Sequence, residues 1–123
     1  MAKTALVVDD SPTMRQMVSF TLTNAGFQVV EAEHGKDAVK KVSDGRKMDI
    51  VVTDLNMPEM DGITLIKELR KIPVFRFTPI LMLTTESAED KKRSGKEAGA
   101  TGWIVKPFDP EVLLKTIAKV LPA

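Results

Sequence analysis

The sequence predicts an α/β fold: a doubly wound parallel sheet of five strands, with five helices packed on both of its faces. Short apolar runs alternate with segments of helical spacing along the chain, and the loops between them are short. This alternation is typical of parallel sheets with crossover helices. Most of the apolar runs are continuous, as expected for strands that are covered on both faces.

The strands are predicted where apolar residues form runs of strand length. Val, Ile and Leu dominate these runs, and such residues favour buried strands. The predicted strands are residues 5–8, 28–30, 50–53, 80–83 and 103–105.

Helical signals fill the first three intervals between the strands. Ser11 and Pro12 are typical of an N-cap and a first helical position, and Gly26 indicates a stop. The second helix is predicted to open at residues 34–35 and to end near 44–45, and the third follows residues 61–62. The residues predicted to face the core are Met14, Met17, Val18 and Leu22 in the first helix, Ala38, Val39 and Val42 in the second, and Ile63, Leu65, Ile66 and Leu69 in the third.

The last two helices differ in the strength of their signals. The fourth, residues 87–98, is the weakest because it is nearly all polar and contains Gly95. The fifth is predicted to start at Asp109 and Pro110. Its inward-facing residues are predicted to be Val112, Leu113, Ile117, Val120 and Leu121.

Residues 71–79, between the third helix and the fourth strand, contain Phe75 and Phe77 near two prolines. Two interpretations of these aromatic residues are open. The favoured one is local packing, and the alternative is a contact surface for a partner.

Composition and charge narrow the class of protein. The 123 residues suit one domain, and no attached output domain is expected. The absence of cysteine and the single histidine, His34, exclude thiol catalysis, a disulfide framework and a multi-histidine zinc site. A formal charge of +1 suggests neither nucleic acid nor membrane as a partner. With no signal peptide or membrane-spanning stretch, a cytoplasmic protein is predicted.

Polar residues follow four of the predicted strands. Asp9 and Asp10 follow the first strand, Asp54 the third, Thr84 the fourth and Lys106 the fifth. Parallel sheets bind ligands outside the carboxyl ends of their strands, so these residues are expected to meet at one edge. Neighbouring carboxylates raise one another's pKa unless a cation shares the site. The pattern therefore predicts a site for a hard divalent ion with oxygen ligands.

Four blocks of sequence resemble the receiver domain of two-component response regulators, of the single-domain chemotaxis type. The resemblance spans residues 1–123 as a single receiver domain. It implies a flavodoxin-like sheet with strand order 2-1-3-4-5 and a monomeric protein. The four blocks are residues 7–10, 53–62, 83–86 and 99–108.

The resemblance implies a phosphoacceptor and a metal site at the predicted edge. Asp54 would accept the phosphoryl group. Mg2+ would be bound by Asp10 and Asp54 directly, by Asp9 through water, and by the backbone carbonyl of Asn56. Mg2+ keeps several waters and would neutralise the net charge near −2 of three carboxylates and one lysine, which suits this open set of ligands.

Further roles follow from the same resemblance. Thr84 and Lys106 would each hold a phosphoryl oxygen during in-line transfer. Thr84 and Trp103 would form the switch, in which an aromatic ring, commonly tyrosine or phenylalanine, changes rotamer as the threonine moves. The bulkier indole of Trp103 leaves open whether the ring swings inward or stays fixed. Asn56 and Glu86 would tune the rate at which water hydrolyses the acyl phosphate.

The implied function is a signalling switch. A histidine kinase would phosphorylate Asp54, and the domain would then change its affinity for a partner through the fourth helix, fifth strand and fifth helix. The partner would be a flagellar motor switch protein or, in a phosphorelay, a histidine-containing protein. Such a domain catalyses only its own phosphorylation and dephosphorylation. An aspartate-nucleophile phosphatase is disfavoured because it would need an acid at Asn56, and a nucleotide-binding protein because the carboxylates would repel phosphate.

Overall fold

The computed structural model describes residues 3–121, in which five parallel strands alternate with five helices. The sheet has the strand order β2-β1-β3-β4-β5, which confirms the predicted fold class and the order implied by the resemblance. The elements are β1 (Thr4–Val8), α1 (Pro12–Asn24), β2 (Gln28–Ala32), α2 (Gly35–Val42), β3 (Ile50–Thr53), α3 (Gly62–Arg70), a 3-10 turn (Pro73–Phe75), β4 (Ile80–Thr84), α4 (Glu89–Ala98), β5 (Gly102–Val105) and α5 (Pro110–Val120).

The register of the strands brings their carboxyl ends together. Val8 at the end of β1 pairs with Thr53 at the end of β3, and Thr53 pairs with Met82 in β4. Thr84 at the end of β4 pairs with Val105 at the end of β5. The loops that follow β1, β3, β4 and β5 therefore start from one edge of the sheet, where parallel α/β proteins bind their ligands.

The sheet separates two hydrophobic cores because successive side chains of a strand point to opposite faces. On one face, alternate strand residues pack against α2 and α3, and Ala98 of α4 joins them at the margin. On the other face, the intervening residues pack against α1 and α5. Burial on both faces explains why the strands read as continuous apolar runs. The first core includes Leu6, Val51, Met82, Leu65 and Ile66, and the second includes Val7, Val52, Leu83, Val18 and Ile117.

Side-chain caps define where four of the helices begin. The Ser11 hydroxyl accepts a hydrogen bond from the Met14 N–H, and Asp61 and Asp109 cap α3 and α5 in the same way. His34 caps α2 through Nδ1, which accepts a hydrogen bond from the Asp37 N–H. By contrast, the N-cap position of α4 is Ala88, which provides no side-chain acceptor. This agrees with the weak helical signal of α4, since a missing cap removes a stabilising interaction.

Two residues predicted to face the core are exposed, and these predictions were wrong. Met17 is 51% exposed and Val112 is 50% exposed. Each lies directly before a buried residue, Val18 or Leu113. Successive helical residues are rotated by about 100°, so the neighbour of a fully buried position is turned toward the edge of the buried stripe.

The segment between α3 and β4 divides into a buried and an exposed part. Phe75 is fully buried, as local packing predicts, whereas Phe77 is 89% exposed. The Arg70 guanidinium donates hydrogen bonds to the carbonyls of Phe75, Thr78 and Gly99 at 2.6–2.7 Å. Burial lowers the pKa of Arg70 from its usual value. Arg70 thus ties this segment to the loop between α4 and β5.

No helix within residues 3–121 is both long enough and apolar enough to cross a membrane.

Candidate functional site

Three carboxylates gather at the edge where β1 and β3 end. Asp9 and Asp54 are 3% and 9% exposed, and Asp10 is exposed to solvent. Each of the three offers an oxygen, and these oxygens all lie within 4.8 Å of one another. The structure thus brings together the acids that the sequence placed at this edge. Their proximity arises from the pairing of Val8 with Thr53, since Asp9 and Asp54 follow directly after these residues and Asp10 is next to Asp9.

Lys106 bridges two of these carboxylates. Its Nζ lies 2.9 Å from Asp9 Oδ2 and 3.4 Å from Asp54 Oδ2, and its side chain is only 10% exposed. The backbone N–H of Lys106 donates to the carbonyl of Thr84 at 2.8 Å, which continues the pairing of β4 with β5. The ammonium group therefore offsets part of the like-charge repulsion between Asp9 and Asp54.

Backbone N–H groups fix the orientation of both buried carboxylates. The Leu55 N–H donates to Asp54 Oδ1 at 2.7 Å, and the Ser11 N–H donates to Asp9 Oδ1 at 2.9 Å. In each acid, the other oxygen, Oδ2, lies beside Lys106. In each acid, a backbone N–H thus holds Oδ1, while Oδ2 interacts with the Lys106 ammonium group.

The donor set fits a small hard cation. All three candidate ligands are carboxylates, and oxygen is the donor that Mg2+ prefers. Asp10 is exposed, so the site is open on one side and has room for the waters that Mg2+ retains. Asn56, the fourth residue named from the resemblance, is exposed in the loop that follows β3.

Thr84, the last residue of β4, and Thr85, which follows it, differ in burial. Thr84 is fully buried, whereas Thr85 is exposed. The Thr84 hydroxyl accepts a hydrogen bond from the Glu86 N–H at 3.4 Å. The Glu86 carbonyl in turn accepts one from Trp103 Nε1 at 2.8 Å. A chain of hydrogen bonds therefore runs from the end of β4 to the indole on β5.

Sequence reasoning missed Arg15. Its Nη1 donates to the backbone carbonyl of Asp9 at 2.8 Å, and its Nε donates to Glu31 at 3.0 Å. Arg15 thereby supports the loop that carries the acidic pair. A signal was present, because basic residues are unfavourable in the first turn of a helix unless another contact compensates.

Sequence reasoning also assigned Gly62 only to the start of α3. A Cβ atom at this position would lie 2.3 Å from the Asp54 carbonyl oxygen and 3.0 Å from Leu55 Cα. The Gly62 N–H donates to the Leu55 carbonyl at 2.8 Å. Only glycine lets α3 begin this close to the backbone that carries Asp54.

Gly62→Ala is expected to destabilise the protein by about 1–3 kcal/mol, because the added methyl group would push α3 away from Asp54. Urea unfolding measures this loss. Thr64→Ala is the matched control, since Thr64 is exposed on the same helical turn and alanine favours helix. Equal stability of Gly62→Ala and the control would contradict the close approach as the reason for glycine.

Comparison with known proteins agrees with this geometry. Residues 5–118 match the response regulator receiver domain family. The chain is 43% identical to chemotaxis protein CheY1 of Helicobacter pylori, over 94% of each chain. It is 42% identical to a CheY homolog of Campylobacter jejuni, over 94% of this chain and 90% of that protein.

Solved structures are similar over nearly the whole chain. Vibrio cholerae chemotaxis protein CheY4 superposes with a TM-score of 0.94 at 49% identity, covering 98% of this chain and 100% of that one. The receiver domain of the Pseudomonas aeruginosa sensor histidine kinase PA1611 has a TM-score of 0.88 at 23% identity, with coverage of 98% of both chains. That structure has a magnesium ion coordinated in its active site cleft, and its similarity to this chain concerns the fold alone.

The matched range, residues 5–118, spans the acids after β1 and β3 and the lysine after β5, and the fold agrees with that of a solved chemotaxis protein. The resemblance inferred from four sequence blocks is confirmed. The chain belongs to the response regulator receiver domain family, the signalling domains of two-component systems.

Proposed function

We propose that this chain is a phosphoacceptor switch in which Asp54 takes a phosphoryl group from a histidine kinase. The observation that carries the proposal is the grouping of Asp9, Asp10 and Asp54 at one sheet edge, where Lys106 contacts Asp9 and Asp54. A nucleophilic carboxylate needs a fixed orientation and a nearby positive charge for the incoming phosphate. The Leu55 N–H and Lys106 supply these for Asp54.

Mg2+ is the proposed cofactor. Asp10 and Asp54 would be direct ligands, Asp9 would bind through water, and the Asn56 carbonyl would complete the protein's share. When bound, the ion supplies positive charge that lets an anionic phosphoryl donor approach the acidic edge. The magnesium in the receiver domain of PA1611 supports this assignment by analogy of fold.

The proposed reaction is a direct transfer. An Asp54 carboxylate oxygen forms a bond to phosphorus as the bond from phosphorus to the donor's imidazole nitrogen breaks. The released electron pair stays on the imidazole nitrogen, which takes up a proton. The Thr84 hydroxyl and the Lys106 ammonium group would hold phosphoryl oxygens and stabilise the charge that develops on them. The product is an acyl phosphate, which water later hydrolyses.

Two residues are proposed to tune the lifetime of the acyl phosphate. Asn56 is exposed in the loop after β3, and Glu86 is partly exposed in the loop after β4. Both loops start from the edge that carries Asp54. The side chains of Asn56 and Glu86 would limit or guide the approach of the water molecule that attacks phosphorus.

The proposed output surface consists of α4, β5 and α5. Val105 and Val112 are 40% and 50% exposed there, although Val112 was predicted to face inward. Both apolar side chains would be accessible to a partner that binds this surface. The relatives are chemotaxis proteins, and we propose that the partner is a flagellar motor switch protein that binds a monomeric domain. Trp103 belongs to the β5 part of this surface.

The test is incubation with phosphoramidate, a small phosphoryl donor, followed by intact-mass measurement. We expect the mass of one phosphoryl group to be added in the presence of Mg2+ and not in the presence of EDTA, with peptide mapping to Asp54. The affinity of the chain for a purified motor switch protein, measured with and without the donor, then tests whether phosphorylation changes partner binding. Transfer onto a histidine-containing protein, with no change in motor protein binding, would instead identify a phosphorelay shuttle. No mass gain would overturn the proposed function.

A further inference from the structure

The indole of Trp103 occupies space that a side chain on α4 would otherwise fill. A Cβ atom at Gly95 would lie 2.7 Å from Trp103 Cζ3 and 3.3 Å from Cε3. Real Cβ atoms do not approach a carbon atom this closely, so the ring and any side chain at position 95 exclude each other. Gly95 is buried, whereas most of α4 is exposed. The missing side chain of Gly95 therefore makes the slot for the ring.

Glycine at this position is otherwise unfavourable. It lies inside α4, where glycine destabilises a helix relative to alanine. α4 has no side-chain N-cap and is largely polar, so it has little helical stability to lose. The contact with Trp103 offers a physical reason for glycine that the helix itself does not provide.

A hydrogen bond holds the opposite side of the indole. Trp103 Nε1 donates to the Glu86 carbonyl at 2.8 Å, in the loop that leads from β4 to α4. The Glu86 N–H points back to the Thr84 hydroxyl. The ring is therefore attached both to the loop that starts at Thr84 and to the helix that follows this loop.

We propose that Gly95 is a positioning residue that seats Trp103 in one fixed place, so that the ring links β5, the β4–α4 loop and α4 rigidly. The ring would stay against Gly95 when the domain is phosphorylated, and the β4–α4 loop and α4 would keep their positions relative to it. Rotation of the ring would leave the slot beside Gly95 empty and would break the hydrogen bond to Glu86. This consequence for signalling rests on the proposed function, but the seating of the ring does not.

Trp103 is the chain's only tryptophan, so its fluorescence and its indole N–H resonance report on this ring alone. In the unmodified chain we expect a single indole N–H resonance and slow acrylamide quenching, both unchanged after phosphoramidate and Mg2+ are added. Intact mass, measured on the same sample, shows whether phosphoryl transfer has occurred. Increased quenching or a second indole resonance in phosphorylated protein would overturn the fixed position. Absence of the mass gain would count against the proposed function and not against the seating of the ring.

The role of Gly95 is tested by Gly95→Ala. The methyl group would displace the indole, so we expect acrylamide quenching to rise about twofold as the ring loses its packing and hydrogen bond. Ser94→Ala is the matched control, because Ser94 is an exposed neighbour on the same helix and gains the same helical preference. Quenching in Gly95→Ala equal to that in the control would overturn the proposal.

If Gly95→Ala folds poorly, the same substitution can be tested in a variant that lacks the Trp103 ring. Trp103→Val removes the ring, so Gly95→Ala in that background meets no obstruction. There we expect Gly95→Ala to raise the melting temperature by about 2–4 °C, because alanine favours the helix. In the presence of Trp103 we expect the same substitution to lower it. If Gly95→Ala changed the melting temperature in the same direction with and without Trp103, the ring would not require glycine at position 95.

Discussion

Asp54→Asn is expected to abolish phosphoryl uptake from phosphoramidate. An amide is not a nucleophile toward phosphorus at neutral pH, whereas the Asp54 carboxylate carries the electron pair that forms the new bond. The substitution preserves the size of the side chain and its capacity to accept from the Leu55 N–H. Intact-mass measurement with saturating donor and Mg2+ should therefore show the unmodified mass, while circular dichroism should show an unchanged fold.

The matched control for this substitution is Asp109→Asn. Asp109 caps α5, and asparagine caps helices as well as aspartate does, so the control removes one acid and leaves the helix start intact. We expect this variant to take up the phosphoryl group at the rate of the unmodified chain. Phosphoryl addition that persists in Asp54→Asn would show that another residue is the acceptor.

Lys106→Met is expected to give the largest loss of stability among substitutions at the acidic edge. Lys106 contacts Asp9 at 2.9 Å and Asp54 at 3.4 Å, and all three side chains are largely buried. Removing one partner of a buried ion pair typically costs about 3–5 kcal/mol, because the remaining charge is left without compensation. Urea unfolding in the presence of EDTA measures this loss of free energy.

Lys106→Met also shows whether the loss of stability comes from the missing charge or from lost packing. Methionine keeps most of the apolar stem of lysine, so the charge is the main difference. Mg2+ brings positive charge to the same carboxylates, and we therefore expect saturating Mg2+ to recover much of the lost stability. Lys115→Met, at an exposed position of α5, is the control and should change stability little. A Lys106→Met variant as stable as this control in EDTA would contradict the bridging role.

The elements of the fold were predictable because their signals are local. Strands buried on both faces read as continuous apolar runs, and Ser11, Asp61 and Asp109 stand where helices begin. Strand order is different. Five similar apolar runs do not indicate which of them are neighbours, so the order came from the family resemblance and was then confirmed by the structure.

Errors in the predicted core arose at the edges of the buried stripes of helices. Met17 and Val112 are apolar and adjacent to buried positions, yet both are exposed. An apolar residue at the edge of a helical stripe is buried only if a neighbouring element covers it, and sequence spacing carries no information on that element. Exposure of Val112 is consistent with the proposed output surface.

The sequence by itself determined the chemistry of the edge: three acids, a threonine and a lysine, all placed at or just after the ends of strands of a parallel sheet. Tertiary structure decided the distances between them, because these residues are far apart in the chain and meet only through strand register. It also decided why Gly62 and Gly95 are glycine. Gly62 comes close to the Asp54 backbone, and Gly95 to the Trp103 ring, only when the chain is packed. A local sequence pattern therefore cannot show that a side chain at either glycine would clash.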